Sequence, residues 1–212
     1  MQSAAQELWN LHPYGLQLTP GNAPDPKFRE WLAKNHVHYM THHGFTWHAL
    51  RQNVWCPSGT CLVPSRSVHP PQTKYLQADC WSEVLTRHAE TRTLPILETM
   101  YPGYFFGTGV EIDQAMDMNI ALAVDASHIY MQKHLNLMTE RTWKRLQNYS
   151  FIQEIHISSN LGTRDSHTPI EAQTFGLAWA KERSLEIPLV LECYMHKLSL
   201  AQRCDQMGLL LS

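Results

Sequence analysis

Apolar and polar positions along this chain fall into two alternating textures. Short apolar runs rich in β-branched residues recur at Gly15–Thr19, Val37–Thr41, Leu94–Leu97, Asn119–Val124, Phe151–Ile157 and Ile187–Leu191. Unbroken runs of that length are what parallel strands show when both sheet faces are covered. A weaker run covers Ser65–Val68, and Met207–Leu211 is a candidate last strand. Between the runs the spacing turns helical. Pro26–Asn35 places Phe28, Trp31 and Leu32 on one face, and Asp79–Ala89 does the same with Trp81, Val84, Leu85 and His88. Thr139–Leu146 and Ile170–Arg183 also read as helices, with Asp79 and Thr139 as expected N-caps. Pro57–Pro71, rich in Pro and Ser, reads as an irregular connection. Strands alternating with helices predict an α/β fold with a parallel sheet, open or closed into a TIM-like barrel, as a single domain over residues 1–212.

Composition narrows the function classes. The 212 residues are 43% hydrophobic and only 17% charged, enough for a core and unlike a disordered chain. No apolar stretch is long enough for a membrane helix, and the first residues lack the basic start and apolar centre of a secretion signal. A net charge of −2 offers no general attraction for nucleic acid or acidic lipid. Five irregularly spaced cysteines predict a reduced, cytoplasmic protein; the Cys56 and Cys61 pair reads as incidental.

The 13 histidines are an excess that changes the picture. Histidine is the commonest metal ligand and a proton shuttle at neutral pH. Placed on the predicted elements, metal-type residues fall at or just after strand ends: His43, His69, Glu98, Asp125, His156 and Glu192, with Asp125-Ala-Ser-His128 and Asp165-Ser-His167 as local pairs. The steps are 26 residues from 43 to 69, 29 from 69 to 98, 27 from 98 to 125, 28 from 128 to 156 and 25 from 167 to 192. One strand, helix and return loop take roughly 25–35 residues, so each step lands again at a strand's C-terminal end. In a closed parallel barrel those ends share the face that holds active sites. His42 competes with His43 for the first position, because the Thr41–Phe45 turn is undefined by sequence.

Nitrogen and carboxylate donors without thiolate suit zinc, manganese or iron. Glu98, Asp125 and Glu192 are costly to bury together unless cations neutralise them. His128, Asp165 and His167 make a two-histidine, one-carboxylate group of the kind that leaves coordination positions open, and Glu98 is the expected bridging carboxylate.

These residues resemble the xylose isomerase-like, endonuclease IV-like TIM barrel superfamily from about Thr41 to Tyr194. The carriers are His-Gly (43–44), Val-His-Pro (68–70), Leu-Glu-Thr (97–99), Val-Asp-Ala-Ser-His (124–128), Glu-Ile-His-Ile-Ser (154–158), Arg-Asp-Ser-His (164–167) and Leu-Val-Leu-Glu (189–192). Sugar isomerases of this superfamily need a subset, here Glu98, Asp125, His156 and Glu192. The additional histidines look like its multinuclear branch. Two segments, Ile-Tyr-Met-Gln-Lys-His-Leu-Asn (129–136) and Asp-Ser-His-Thr-Pro-Ile (165–170), are similar to the multinuclear non-heme iron-dependent oxidative enzymes that modify cysteines in ribosomally made peptides.

The resemblance implies two or three divalent ions, iron first, with manganese or zinc as alternatives. His43, His69 and Glu98 would hold one ion. Glu98, Asp125, His156 and Glu192 would hold a second, and His128, Asp165 and His167 a third. It also implies a short barrel that lacks one strand, a first strand before Leu16, unless Met207–Leu211 completes the sheet. The expected function is oxidation of a thiol-bearing peptide or small molecule, with a precursor peptide or partner protein supplying the substrate and with Glu98, His128 and Glu192 as catalytic residues. The alternatives are a sugar or sugar-phosphate isomerase, in which Glu98 and Glu192 move a proton at carbon, and a zinc phosphodiesterase related to abasic-site endonucleases.

Overall fold

The computed structural model describes residues 2–18, 25–42, 45–46, 55, 60–61, 66–91 and 94–211. Its centre is a five-stranded, all-parallel sheet whose order follows the chain: β5 (Ser67–Val68), β6 (Ile96–Glu98), β7 (Leu122–Asp125), β8 (Ile152–Ile157) and β9 (Leu189–Leu191). Helices α3 (Ala78–Thr91), α4 (Gly109–Asp117), α5 (Ala126–His134), α6 (Glu140–Gln147) and α7 (Leu177–Arg183) connect those strands, and α8 (Leu200–Leu211) follows β9. Parallel neighbours need such crossovers, because a tight turn cannot return the chain to the same end of the sheet.

A second parallel pair precedes this sheet, β1 (Leu16–Leu18) with β2 (Tyr39–Thr41), joined through α2 (Pro26–Lys34) and preceded by α1 (Gln2–Trp9). A parallel bridge from His42 to Ser67 carries the order on from the end of β2 to β5. The Gln17 amide of β1 donates to the Glu154 carboxylate of β8 at 2.9 Å, so the sheet curls until its first and eighth strands touch through side chains. The result is a half-barrel. A short antiparallel pair joins β3 (Phe45–Thr46) to β4 (Thr60–Cys61), and β4 lies in the Pro57–Pro71 connection that was expected to be irregular.

Alternation along the strands separates core from site. Leu122 and Val124 of β7 and Ile155 and Ile157 of β8 belong to the main hydrophobic core, together with Trp81, Ile112, Trp143, Leu146 and Ile170. Their neighbours of opposite parity, Ala123, Asp125, Glu154 and His156, are fully buried but face the inside of the curl. A smaller cluster of Leu18, Phe28, Leu32 and Val37 packs α2 on β1.

Several boundaries differ from the pattern-based expectation. Met207–Leu211 is the end of α8 rather than a strand. Ser199 and Gln202 explain why: each side chain bonds the other's backbone N–H, a reciprocal cap that starts a helix there. The helix expected over Ile170–Arg183 begins only at Leu177, after Gly176 at φ +77°. Asp79 sits inside the first turn of α3, not at its cap. Thr139 does cap α6, its hydroxyl accepting from the Thr142 N–H at 3.1 Å. Helices α1, α4 and α5 had no predicted counterpart.

Candidate metal centre

The ends of the parallel strands deliver the site. Glu98 is the last residue of β6 and Asp125 the last of β7. His156 is next to last in β8, while His42, His69 and Glu192 directly follow β2, β5 and β9. His128 lies in the first turn of α5, and Asp165 and His167 lie in the loop after β8. All of these except His43 are described, and all converge. His43 itself lies outside the described residues; His42, its competitor for the first position, has Nε2 2.9 Å from Glu98 Oε2.

Glu98 stands at the middle. Its Oε2 is 3.2 Å from His69 Nε2 and 3.5 Å from His156 Nδ1, and its Oε1 is 3.3 Å from His128 Nδ1. On one side His156 Nδ1 reaches Glu192 Oε1 at 3.1 Å. On the other, His128 Nε2 lies 3.5 Å from Asp125 Oδ2 and 3.4 Å from Asp165 Oδ2, which also meets His167 Nε2 at 3.1 Å. Two sets have donor atoms close enough to share one ion: His42, Glu98 and His156, and Glu98, Asp125, His156 and Glu192. Glu98, Asp125, His128 and His156 are fully buried. His69, Asp165, His167 and Glu192 keep 14–25% of their side chains exposed, so they form the edge that faces water.

Surrounding hydrogen bonds decide which atoms face inward. The His42 Nδ1 donates to the Ser67 carbonyl at 2.9 Å, and His128 Nδ1 to the Thr99 carbonyl at 2.9 Å. A carbonyl can only accept, so each proton sits on Nδ1 and Nε2 is turned toward the carboxylates. Asp125 Oδ1 accepts from the Ser127 and His128 N–H groups as the cap of α5, leaving Oδ2 toward the centre.

The fit to a cation follows from what remains. Both oxygens of Glu98, Asp125 Oδ2, His128 Nε2, His156 Nδ1, Asp165 Oδ1 and His167 Nδ1 are buried without a well-aligned hydrogen bond. Buried polar atoms nearly always have partners, and here the unsatisfied ones crowd together as hard oxygen and imidazole nitrogen donors. Divalent ions of the zinc, manganese or iron type satisfy such a set.

Electrostatics agree. Burial alone would raise Glu98, yet His69, His156 and His42 hold it well below the usual carboxylate range. Burial opposes charging of His156 and His128 too, but Glu192 and Glu98 raise the first and Asp125, Asp165 and Glu98 the second. Burial pushes Asp125 up to about 6, against the pull of His128. Asp165 is depressed, the donors His128 and His167 overcoming burial, and His167 is raised, chiefly by the hydrogen bond it donates to Asp165.

Pattern reading missed the supporting residues. Gln17, Ser67, Thr99 and Glu154 touch the ligands or hold their backbone, as in the 3.0 Å bond from the Asp125 N–H to Thr99 Oγ1. A signal for Glu154 was present: it lies two residues before His156 on a strand, hence on the same face. Tyr101, Tyr104 and Tyr194 stand with ring centroids 5.0, 6.1 and 5.3 Å from those of His128, His69 and His167. Among the described residues no helix is long and apolar enough to cross a membrane. No protein-family model matches the chain and no curated protein matches its sequence, so its functional reading rests on this geometry.

Proposed function

We propose that this chain is a multinuclear metalloenzyme that oxidises a thiol-bearing peptide or small molecule. The observation that carries the reading is the convergence, among the described residues, of five histidines and four carboxylates on one end of a curled parallel sheet, where both oxygens of Glu98 and the inward atoms of Asp125, His128 and His156 are buried without a well-aligned hydrogen bond. His42, His69 and Glu98 would hold one ion, Glu98, Asp125, His156 and Glu192 a second, and His128, Asp165 and His167 a third. Iron, when bound, supplies the redox chemistry with dioxygen as oxidant.

The side chains supply position and charge. Glu98 sets one carboxylate between two ligand groups. The partly exposed edge of His69, Asp165, His167 and Glu192 is where substrate enters, flanked by the rings of Tyr101, Tyr104 and Tyr194. A TIM-like barrel is the matching fold reading, supported by the chain-order parallel strands and by the His42–Ser67 bridge. A cytoplasmic setting belongs to the same proposal, with Cys80, Cys193 and Cys204 as free thiols.

The test is metal content per chain after anaerobic purification, followed by oxygen uptake with thiol substrates. Two or three irons, with turnover that stops without oxygen and in His128→Ala, support the proposal. No metal after reconstitution overturns it. Three zincs with cleavage of an abasic duplex make the phosphodiesterase the better account. One observation favours an isomerase as second reading: Glu98, Asp125, His156 and Glu192 form a four-ligand set by themselves. That enzyme would hold one manganese, work without oxygen, and survive loss of Asp165.

A further inference from the structure

The three most deeply buried histidines of the centre do not present the same nitrogen. His42 and His128 each give Nδ1–H to a backbone carbonyl and turn Nε2 inward. His156 is reversed. Its Nδ1 faces Glu98 and Glu192, while its Nε2 lies 2.7 Å from Oε1 of Glu154, a carboxylate rather than a carbonyl. Glu154 is fully buried, two residues earlier on the same face of β8.

What surrounds Glu154 keeps it an acceptor. Its Oε1 also accepts from the Gln17 amide at 2.9 Å and the Ser67 hydroxyl at 3.1 Å, and its Oε2 faces Arg66 Nε at 3.2 Å. The Arg66 guanidinium is fixed in turn by a 2.9 Å bond to the Gln153 carbonyl. The Gln17 amide nitrogen and the Arg66 guanidinium can only donate, one to each oxygen of Glu154, so those oxygens receive, and the proton between Glu154 and His156 belongs on imidazole Nε2. A carboxylate in this place fixes tautomer and ring orientation and makes the opposite nitrogen a stronger donor to a metal.

The geometry points to Glu154, braced by Arg66, Gln17 and Ser67, as the positioning residue that turns His156 Nδ1 toward the metal centre and makes it the strongest nitrogen donor there. This rests on the metal-centre reading above. It assigns a role to a residue outside the proposed ligand sets, two positions before His156 on β8.

The experiment uses the full chain stripped of metal and titrated with Co²⁺ alone, comparing wild type with the isosteric Glu154→Gln. Wild type should bind Co²⁺ with visible bands. Glu154→Gln should bind about 10- to 100-fold more weakly, with shifted bands, while its metal-free melting temperature shows that it is folded. A second readout does not depend on the variant folding. The ¹⁵N imidazole shifts of Zn²⁺-loaded wild type, assigned against His156→Gln, should show His156 protonated at Nε2 and ligated through Nδ1. Cobalt binding by Glu154→Gln equal to wild type, or a His156 proton on Nδ1, overturns this inference and leaves the metal centre standing. A wild type that takes up neither cobalt nor zinc overturns the metal centre, and this inference with it.

Discussion

Among the described residues, four imidazoles stand within 3.5 Å of the two Glu98 carboxylate oxygens. Its charge therefore serves every ligand group at once. Glu98→Gln keeps the shape and removes the charge, so metal bound per chain should fall by more than one ion, where a ligand of a single group should lose one. Plasma emission analysis of Glu98→Gln beside Asp165→Asn checks this. His42 teaches a further point at this scale. The sequence offers His42-His43, and the pairing of His42 with Ser67 in the adjoining strand is what sets His42 against Glu98. Neighbouring residues on an extended chain point to opposite sides, so a one-residue ambiguity is a change of face that local pattern cannot resolve. The same limit hid Thr99 and Ser67, ordinary hydroxyl residues whose value lies wholly in what folds against them. His167 adopts φ +45°, a left-handed conformation uncommon outside glycine and asparagine. That turn brings His167 back beside Asp165, only two positions earlier, and no spacing rule encodes it.

At the scale of elements, the strands were the readable part because burial on both faces leaves an apolar run that needs no tertiary information. Five of the six strong runs and Ser65–Val68 contain a strand that contributes to the site or ends beside it, and the sixth contains β1, which supplies Gln17. The helices were less readable. Helix α5 has six of its nine residues buried, small, polar and apolar alike, so no polar face betrays a period, and it starts on a cap, Asp125, that is also a candidate ligand. Where a cap is a plain hydroxyl the consequence is simple. Thr139 holds the Thr142 N–H at the start of α6, and α6 packs on α4 through Arg145 with Asp113 and Asp117. Thr139→Ala should cost about 1 kcal/mol, read as a lower urea midpoint with unchanged slope. Arg145→Ala should cost less than about that, since its ion pairs are exposed.

For the whole molecule, acidity and metal act on the same atoms. In the metal-free protein His128, His156 and His167 are raised, so the stability their charging adds is present below the ordinary imidazole range and fades as pH rises through their higher folded values. Glu98, Glu192 and Asp165 are lowered, so their contribution is present above the ordinary carboxylate range and is lost as pH falls through their folded values. The metal-free protein should be most stable in the interval between these limits. Metal requires the deprotonated ligands. The rise in melting temperature on adding Co²⁺ should therefore grow from about pH 6 to about pH 8, measured by scanning fluorimetry in matched salt. A rise independent of pH would place the metal on groups other than these histidines.

The ligands are spread from His42 to Glu192, one to three from each strand end from β2 and β5 through β9. That spread has a consequence in time. No early, local piece of the chain contains a usable set of donors, and long-range parallel pairings of this kind form late and slowly. A metal ion meets a complete site only once β9 has docked and brought Glu192 to His156. Stopped-flow experiments in urea should then show refolding rates almost indifferent to Co²⁺ and unfolding slowed in proportion to the affinity gained. The ion would act as a latch on the finished molecule, with no part in guiding the chain toward it.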